Sequence, residues 1–424
     1  MTKTSGKLQS IQAAESKLLL QTYERNPRLF VSGNGVYLED DNGDKYLDLL
    51  SGIGVNALGY NHPAIVNAIL AQSRKLIHTS NLFYHQGQAE LALRLTERTG
   101  MDRAFFSNSG TEAWEAAMKV ARAHAGLLRD EGCYVGTKFL ALEGSFHGRT
   151  FGSVSTTHKA KYREPFAPVV DGVQFVRFND VGDLRAKFSN EVCAVLIEPI
   201  QGEGGIRPIS QVFFDAAREL TQSTGALLIA DEIQCGFGRT GKWCAYQHYG
   251  IQPDITTLAK PIAGGIPLGV MLCTDEAARA IHPGMHGTTF GGGPLACAVA
   301  IAVVDAIESE NILSHINDVG SYFKQQLESL QDRHEAITAV RGMALMLAAE
   351  VDSADLAKLI VGKMLEKRIL INRTSDTTLR FLPPYILKRE HVDTTIAALD
   401  DILTEHGQGA LAQTNIAPKE VFVD

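Results

Sequence analysis

The 424-residue sequence predicts an α/β protein, with a large domain on a mostly parallel sheet layered by helices and a smaller α+β domain beside it. Three observations carry this. The chain is longer than the ~250–300 residues at which a single hydrophobic core stops growing. Between residues 103 and 275, short apolar runs alternate with helical stretches, the pattern of strands buried on both faces of a sheet. Beyond residue 300 that alternation gives way to long helices followed by short strands.

In chain order, Val36–Glu39 and Lys45–Asp48 flank an Asp41-Asn42-Gly43-Asp44 turn, which predicts a hairpin. A two-stranded hairpin is not stable alone. Residues 1–60 are therefore expected to pack with the C-terminal unit. The large domain, residues 61–300, draws its strands from Ala104–Phe106, Phe139–Leu142, Val173–Phe178, Ala194–Glu198, Ala226–Ala230, Ile255–Leu258 and Gly269–Cys273. Helical patterns such as Thr111–Ala125 and Val212–Ser223 lie between them. Helices over Pro294–Glu308 and Asp318–Arg333 lead into the small domain, residues 301–406. There Ile337–Glu350 is followed by a helix near Asp355–Lys367 and by short strands at Ile369–Asn372 and Thr378–Phe381. Residues 407–424 show no clear periodicity and are expected to form an extended tail.

Composition narrows the function. A net charge of −8 and a pI near 5.9 argue against a nucleic-acid binder, whose footprint is a basic patch. Six widely spaced cysteines without a C-x-x-C pair read as reduced thiols. No apolar run approaches the ~20 residues of a membrane span. The first 25 residues have neither the apolar core of a secretory signal nor an arginine-rich amphipathic pattern, so a cytoplasmic protein without membrane contact is expected.

Two motifs mislead. Gly236-Phe237-Gly238-Arg239-Thr240-Gly241 spells G-x-G-x-x-G, and with Lys242 most of a P-loop. The next residues, Trp243-Cys244-Ala245-Tyr246, neither open a helical pattern nor supply the Ser or Thr that would hold magnesium. These glycines read better as shaping an ordinary loop.

Three other segments carry chemistry. ALLIADEIQ delivers Asp231 at the carboxyl end of a buried strand, where open α/β sheets bind ligands. Taken alone, Asp231 also reads as a solvent-facing strand terminus. ITTLAKPIAGG ends a β-like run at Lys260, which alone reads better as a solvated charge. A Schiff-base lysine, however, must leave a strand end rigidly. FFSNSGTEAWEAAMK runs a strand through Ser109, Gly110 and Thr111 into a helix whose first amides suit a phosphate; a plain N-cap would look the same. Together the three supply a phosphate cradle, a carboxylate for a pyridinium nitrogen and an amine for an aldehyde: one cofactor, pyridoxal 5′-phosphate (PLP).

A family resemblance joins these segments. SNSGTEAWEAAMK, GSFHGRTFGS, IEPIQGEGG, ADEIQCGFGRTGKWCAYQHYGIQPDI and GTTFGGGPLACA, in that order, resemble the class III aminotransferases, most closely those acting on acetylornithine, over roughly residues 20 to 400. The resemblance implies the PLP-dependent transferase fold of type I, a homodimer with shared active sites, no metal, and amino-acid and oxo-acid substrates. It implies that Lys260 carries the cofactor and shuttles a proton, and that Asp231 pairs with the ring nitrogen. Gln234 would approach the ring's phenolate oxygen, with Glu232 also in the cofactor site. Ser109, Gly110 and Thr111 would hold the phosphate, completed by Thr289 of the other subunit, and Phe146 would stack on the ring. On the substrate side it implies Arg149 as the grip on a distal carboxylate, with Thr288 beside it. Glu203 and Arg380 would be a switch pair that opens for 2-oxoglutarate or glutamate. Without the motif context, Phe146 reads as a core aromatic, Arg149 as a surface arginine and Glu203–Arg380 as a permanent ion pair.

Three positions depart from the pattern: Trp114 stands where a smaller polar residue is usual, Pro261 interrupts the glycine-rich run after the lysine, and Gly293 replaces an asparagine. Gly52 falls where ornithine aminotransferases carry a tyrosine, leaving room for an acyl group and no partner for an ammonium. The expected activity is therefore transfer of the terminal amine of N2-acetylornithine to 2-oxoglutarate, in arginine biosynthesis. Its rivals are aminotransferases for succinylornithine, succinyldiaminopimelate, ornithine or 4-aminobutyrate, and, outside the transferases, a PLP-dependent racemase or aminomutase. A nucleotide-binding regulatory protein would rest on the misleading loop alone.

Overall fold

The structure, a computed structural model, describes residues 6–414. Strands β1 (Phe30–Asn34), β2 (Tyr37–Asp40) and β3 (Lys45–Asp48) form an antiparallel meander. The β2–β3 hairpin forms around the expected turn, where Gly43 takes a φ of +82° and Asp40 Oδ1 accepts from the amides of Asn42 and Asp44. Strand β1 precedes it without an alternating pattern that would reveal it.

The seven apolar runs all become strands of one sheet. In chain order these are β4 (Arg103–Ser107), β5 (Lys138–Leu142), β6 (Val173–Val176) and β7 (Val192–Ile197). A two-stranded loop ladder, β8 (Ile200–Gln201) and β9 (Arg207–Pro208), intervenes before β10 (Leu227–Asp231), β11 (Ile255–Leu258) and β12 (Gly269–Cys273). The sheet order is β4-β12-β11-β10-β7-β5-β6. Its pairs are parallel except for β12, which runs antiparallel to both neighbours. Strands β7 and β10 are buried at every position, as their unbroken apolar runs require.

In the C-terminal third, Ile337–Glu350 folds as a hairpin, β13 (Ile337–Met343) and β14 (Met346–Val351). Strands β16 (Asn372–Arg373) and β17 (Thr378–Phe381) extend it to a four-stranded sheet, while β15 (Ile369–Leu370) pairs in parallel with β3. The N-terminal hairpin thus shares a sheet with a C-terminal strand. The helix Pro294–Ser309 spans the boundary expected at residue 300.

One expectation is overturned. The last helix runs Arg389–Thr414, so residues 407–414 continue it rather than forming an extended tail. The remainder of that tail, residues 415–424, lies outside the described residues. The G-x-G-x-x-G loop opens no helix: only a short 3₁₀ turn, Ala245–His248, comes after it. Its Arg239 is fully buried and donates to the carbonyls of Leu345 and Pro383, tying the loop to the C-terminal unit.

Candidate active site

A cavity of about 180 Å³ opens at the carboxyl ends of β10 and β11. Its lining includes Gly110, Thr111, Phe146, His147, Glu198, Glu203, Asp231, Gln234 and Lys260. Residues spread from 110 to 260 meet here because parallel strands end on one side, and their loops converge there.

Asp231 is the last residue of β10 and is 4% exposed. Three donors converge on its carboxylate. His147 Nδ1 lies 2.6 Å from Oδ2, while the Ile233 amide and Thr257 Oγ1 donate to Oδ1 at 3.0 and 3.3 Å. A carboxylate offers only lone pairs, so His147 carries its proton on Nδ1. The opposite nitrogen, Nε2, is buried with no hydrogen-bond partner among the described residues. The His147 ring lies flat against Trp114, with centroids 3.9 Å apart and planes 6° apart.

Lys260 opens a 3₁₀ turn, Lys260–Ala263, that starts with Pro261 next to it and stops at Gly264 in the left-handed region. Pro261 suits the first turn of a helix because its missing N–H has no partner there. Burial pushes the Lys260 ammonium below the ordinary lysine value, while the charges of Glu203 and Asp231 partly oppose the shift. A lysine so displaced is more readily the neutral amine that attacks a carbonyl.

At the far end of the cavity, Ser109 is the N-cap of the helix Gly110–Asp130. Gly110 is required there, since a Cβ would come within 2.8 Å of the Ile233 side chain. Thr111 Oγ1 is shared with the hydroxyls of Thr150 and Ser153 at 2.8 and 2.6 Å. This helix start, with its free amides and clustered hydroxyls, suits a phosphate. The amine, the carboxylate, this cradle and the Phe146 ring line one space, so the residues present fit PLP.

The opposite wall is an ion pair. Arg380, on β17, is 1% exposed and reaches Glu203 Oε1 at 2.5 Å. Gln234 bridges them, accepting from Arg380 Nη1 at 3.2 Å and donating to Glu203 at 3.4 Å. Asn372 Oδ1 accepts from Arg380 Nε at 3.1 Å. Burial opposes ionisation of Glu203, but the charge and hydrogen bond of Arg380 outweigh it and hold the carboxyl below its ordinary value. A side chain at Gly202 would strike Gln234 at 2.2 Å, so glycine there lets the loop close on the pair.

Not every residue singled out in the sequence reaches the cavity. Glu232 is fully buried but turned the other way, accepting from the amides of Ala245 and Tyr246 at 2.9 and 2.8 Å. Burial raises it to about 7. It follows Asp231 directly, and successive side chains along an extended backbone point to opposite faces. Ser109 is spent as the cap, its Oγ within 3.3 Å of the Glu112 amide. Arg149 is exposed beside the cavity, its guanidinium 3.8 Å from the Tyr162 ring centre, with no hydrogen bond or ion pair among the described residues. Thr288 accepts from Asn108 and the Gly291 amide, and Thr289 lines a separate surface recess; neither lines the Lys260 cavity of its own chain.

Two lining residues escape the sequence reading. His147 sits inside the FHGR stretch and Glu198 is the second residue of IEPIQGEGG, so both lie in motifs but show no local signal of their role. Glu198 accepts from the amides of Phe146 and Gly202 at 3.0 and 3.2 Å. Burial, and then the charge of Asp231, push it well above the ordinary carboxyl range.

Comparison with known proteins agrees with this arrangement. The class III aminotransferase family profile matches residues 21–403. An acetylornithine aminotransferase of Methanocaldococcus jannaschii is 46% identical over 92% of this chain and 97% of its own. Among solved structures, the ornithine aminotransferase of Toxoplasma gondii superposes with a TM-score of 0.90 at 30% identity, covering 95% of this chain and 96% of its own. A PLP-bound amine transaminase from an uncultivated Pseudomonas species gives a TM-score of 0.85 at 28% identity, over 92% of this chain and 98% of that one. With the site geometry and a family match spanning nearly the whole sequence, the chain belongs to the class III aminotransferases.

Proposed function

We propose that this aminotransferase is PLP-dependent and moves the terminal amine of N2-acetylornithine to 2-oxoglutarate. The observation that carries the two-substrate reading is the Glu203–Arg380 pair: Arg380 is buried, and part-exposed Glu203 lines the same cavity as Lys260 and Asp231. When bound, PLP supplies an aldehyde that takes up the donor's amine and a ring that draws electrons from the carbon bearing it. Lys260 Nζ, which lines the same space, would take the proton from that carbon. Asp231, fixed by three donors, would pair with the ring nitrogen and hold a proton there. Phe146 would cover the ring, and Gly110 and Thr111 would hold the phosphate.

Arg149 grips the carboxylate distal to the reacting carbon, which acetylornithine and 2-oxoglutarate both have. Its planar fork is free for a bidentate contact, and Tyr162 orients it from below. Arg380 takes the second carboxylate of 2-oxoglutarate, next to the reacting carbon, when Glu203 releases it. With acetylornithine in place no such carboxylate arrives, and Glu203 cancels the charge. Gly52 supports an N-acyl donor: it lies in a left-handed turn, Ser51–Gly54, where a side chain on Gly54 would come within 4.0 Å of Lys260 Cδ. The similarity to the archaeal acetylornithine enzyme supports the same donor.

Two subunits are needed on this reading. Thr289 adjoins exposed Phe290, and Leu82, Phe83 and Tyr84 form a further exposed apolar stretch, surface that a partner would cover. A cytoplasmic enzyme of amino-acid biosynthesis is the reading that goes with this donor. Among the described residues no helix is long and apolar enough to cross a membrane.

A donor panel tests the proposal: acetylornithine, succinylornithine, ornithine and 4-aminobutyrate, each with 2-oxoglutarate and glutamate formation as readout. Acetylornithine should give the highest kcat/KM. A higher value for free ornithine would overturn the donor assignment, and turnover without 2-oxoglutarate would indicate an isomerase.

A further inference from the structure

Trp114 departs from the family pattern, and its side chain is fully buried on the helix Gly110–Asp130. Its indole nitrogen donates to Thr156 Oγ1 at 2.9 Å, which fixes the plane of the ring. That plane lies 6° from the His147 imidazole at 3.9 Å. His147 in turn makes a single side-chain hydrogen bond, to Asp231 at 2.6 Å, and its Nε2 is buried without a partner among the described residues. An imidazole that orients a functional group is ordinarily anchored through both nitrogens. Held by one bond only, this ring is free to tilt about its Cβ–Cγ axis. The indole face stands in for the missing second anchor, because any tilt drives imidazole atoms into it.

We propose that Trp114 is a positioning residue for Asp231, acting through His147, whose ring it holds flat so that Nδ1–H stays on the carboxylate. The inference rests on the reading that Asp231 faces the ring nitrogen of PLP. It assigns to the unusual tryptophan a task distinct from filling the core, although it also packs among Ala113, Ala117 and Phe139.

The test separates a flat face from mere bulk in the holoenzyme. Trp114→Phe keeps a ring face on the imidazole but loses the bond to Thr156, and should stay closer to wild type in cofactor spectrum and kcat than a variant without a ring. Trp114→Leu fills the space without a face. It should lower kcat roughly ten-fold with KM unchanged, on the scale of losing an outer-shell orienting partner. It should also shift the bound cofactor's visible band and speed cofactor loss on dilution. In a double-mutant cycle, Trp114→Leu should add little to His147→Asn, since both act through one ring. Should Trp114→Leu not fold by circular dichroism, Trp114→Met takes its place. If Leu and Phe variants share spectrum, cofactor loss and kcat, or if the two losses add fully, Trp114 is core filling and the inference falls. The PLP reading survives that result, because the wild type still shows its visible band. A wild type purified with PLP and lacking that band would overturn both.

Discussion

Two acids face each other across the cavity and are held in opposite ways. Asp231 receives all its donors from the large domain: a histidine, a backbone amide and a threonine beside its own strand. Glu203 receives a guanidinium from the small domain's β17 and a side-chain amide, and no backbone N–H among the described residues donates to its carboxylate. A charge fixed by its own sheet cannot easily change partners, whereas one paired across to another sheet can. The difference teaches which function each wall serves. On the proposed reading, the Asp231 side would meet the same group in every turnover, and the Glu203 side would meet substrates with one carboxylate or two.

The comparison is sharpened most by removing the amine between the walls. Lys260→Ala should abolish transamination while leaving the fold intact by circular dichroism. In the wild type, borohydride should fix PLP to the peptide containing Lys260, and labelling of another lysine would sink the assignment. Next is the fixed wall. Asp231→Asn should still bind cofactor but lose ~3–4 kcal/mol of transition-state stabilisation, the scale of one preorganised electrostatic group, with both amino donors affected alike. Near-wild-type turnover would remove its role.

The exchangeable wall should respond unequally. Arg380→Ala should weaken 2-oxoglutarate and glutamate and spare acetylornithine. Glu203→Ala frees Arg380 for α-carboxylates and should improve glutamate as donor at the expense of acetylornithine, by about 2 kcal/mol, the scale of a charged hydrogen bond. Single-turnover spectra with each donor decide the matter; equal slowing of both would make the pair structural. The smallest effect is in stability against pH. The Glu203 carboxyl is depressed in the fold, so its contribution is complete above the ordinary value of ~4.3 and is lost as pH falls through the lower folded value. The gap in thermal midpoint between wild type and Glu203→Gln should therefore be constant near neutrality and close below about pH 4.

Much of this is legible in the sequence because the signals are short-range. Unbroken apolar runs mark strands buried on both faces, and ALLIAD and ITTLAK each end a run on the residue that matters. The features that the sequence hides depend on side-chain direction or distant partners. Glu232 is one residue past Asp231 and points away, a parity that the register alone settles. Ser109 reads as a phosphate ligand, but its hydroxyl is committed to capping. Glu198 becomes part of the site only because β7 and β10 are neighbours, bringing residues 198 and 231 together. Trp114 stands out as unusual, yet its reason lies at His147, with no periodicity linking the two. Strand β1 stays hidden because its glycine, serine and asparagine mask an edge strand's pattern.

The pairing of β3 with β15 joins Leu47 to Ile369 across most of the described chain. On the ribosome, this hairpin emerges before the seven-stranded sheet and must remain without its sheet neighbour until residue 369 has been translated. Such a long loop to close makes this a late event, and the hairpin's unpaired edge stays open in the meantime. The turn at Ser51–Gly54, where a side chain on Gly54 would reach the lysine stem, comes directly after that hairpin. A nascent chain stalled before residue 369 could therefore carry a complete seven-stranded sheet and still lack one wall of its active site.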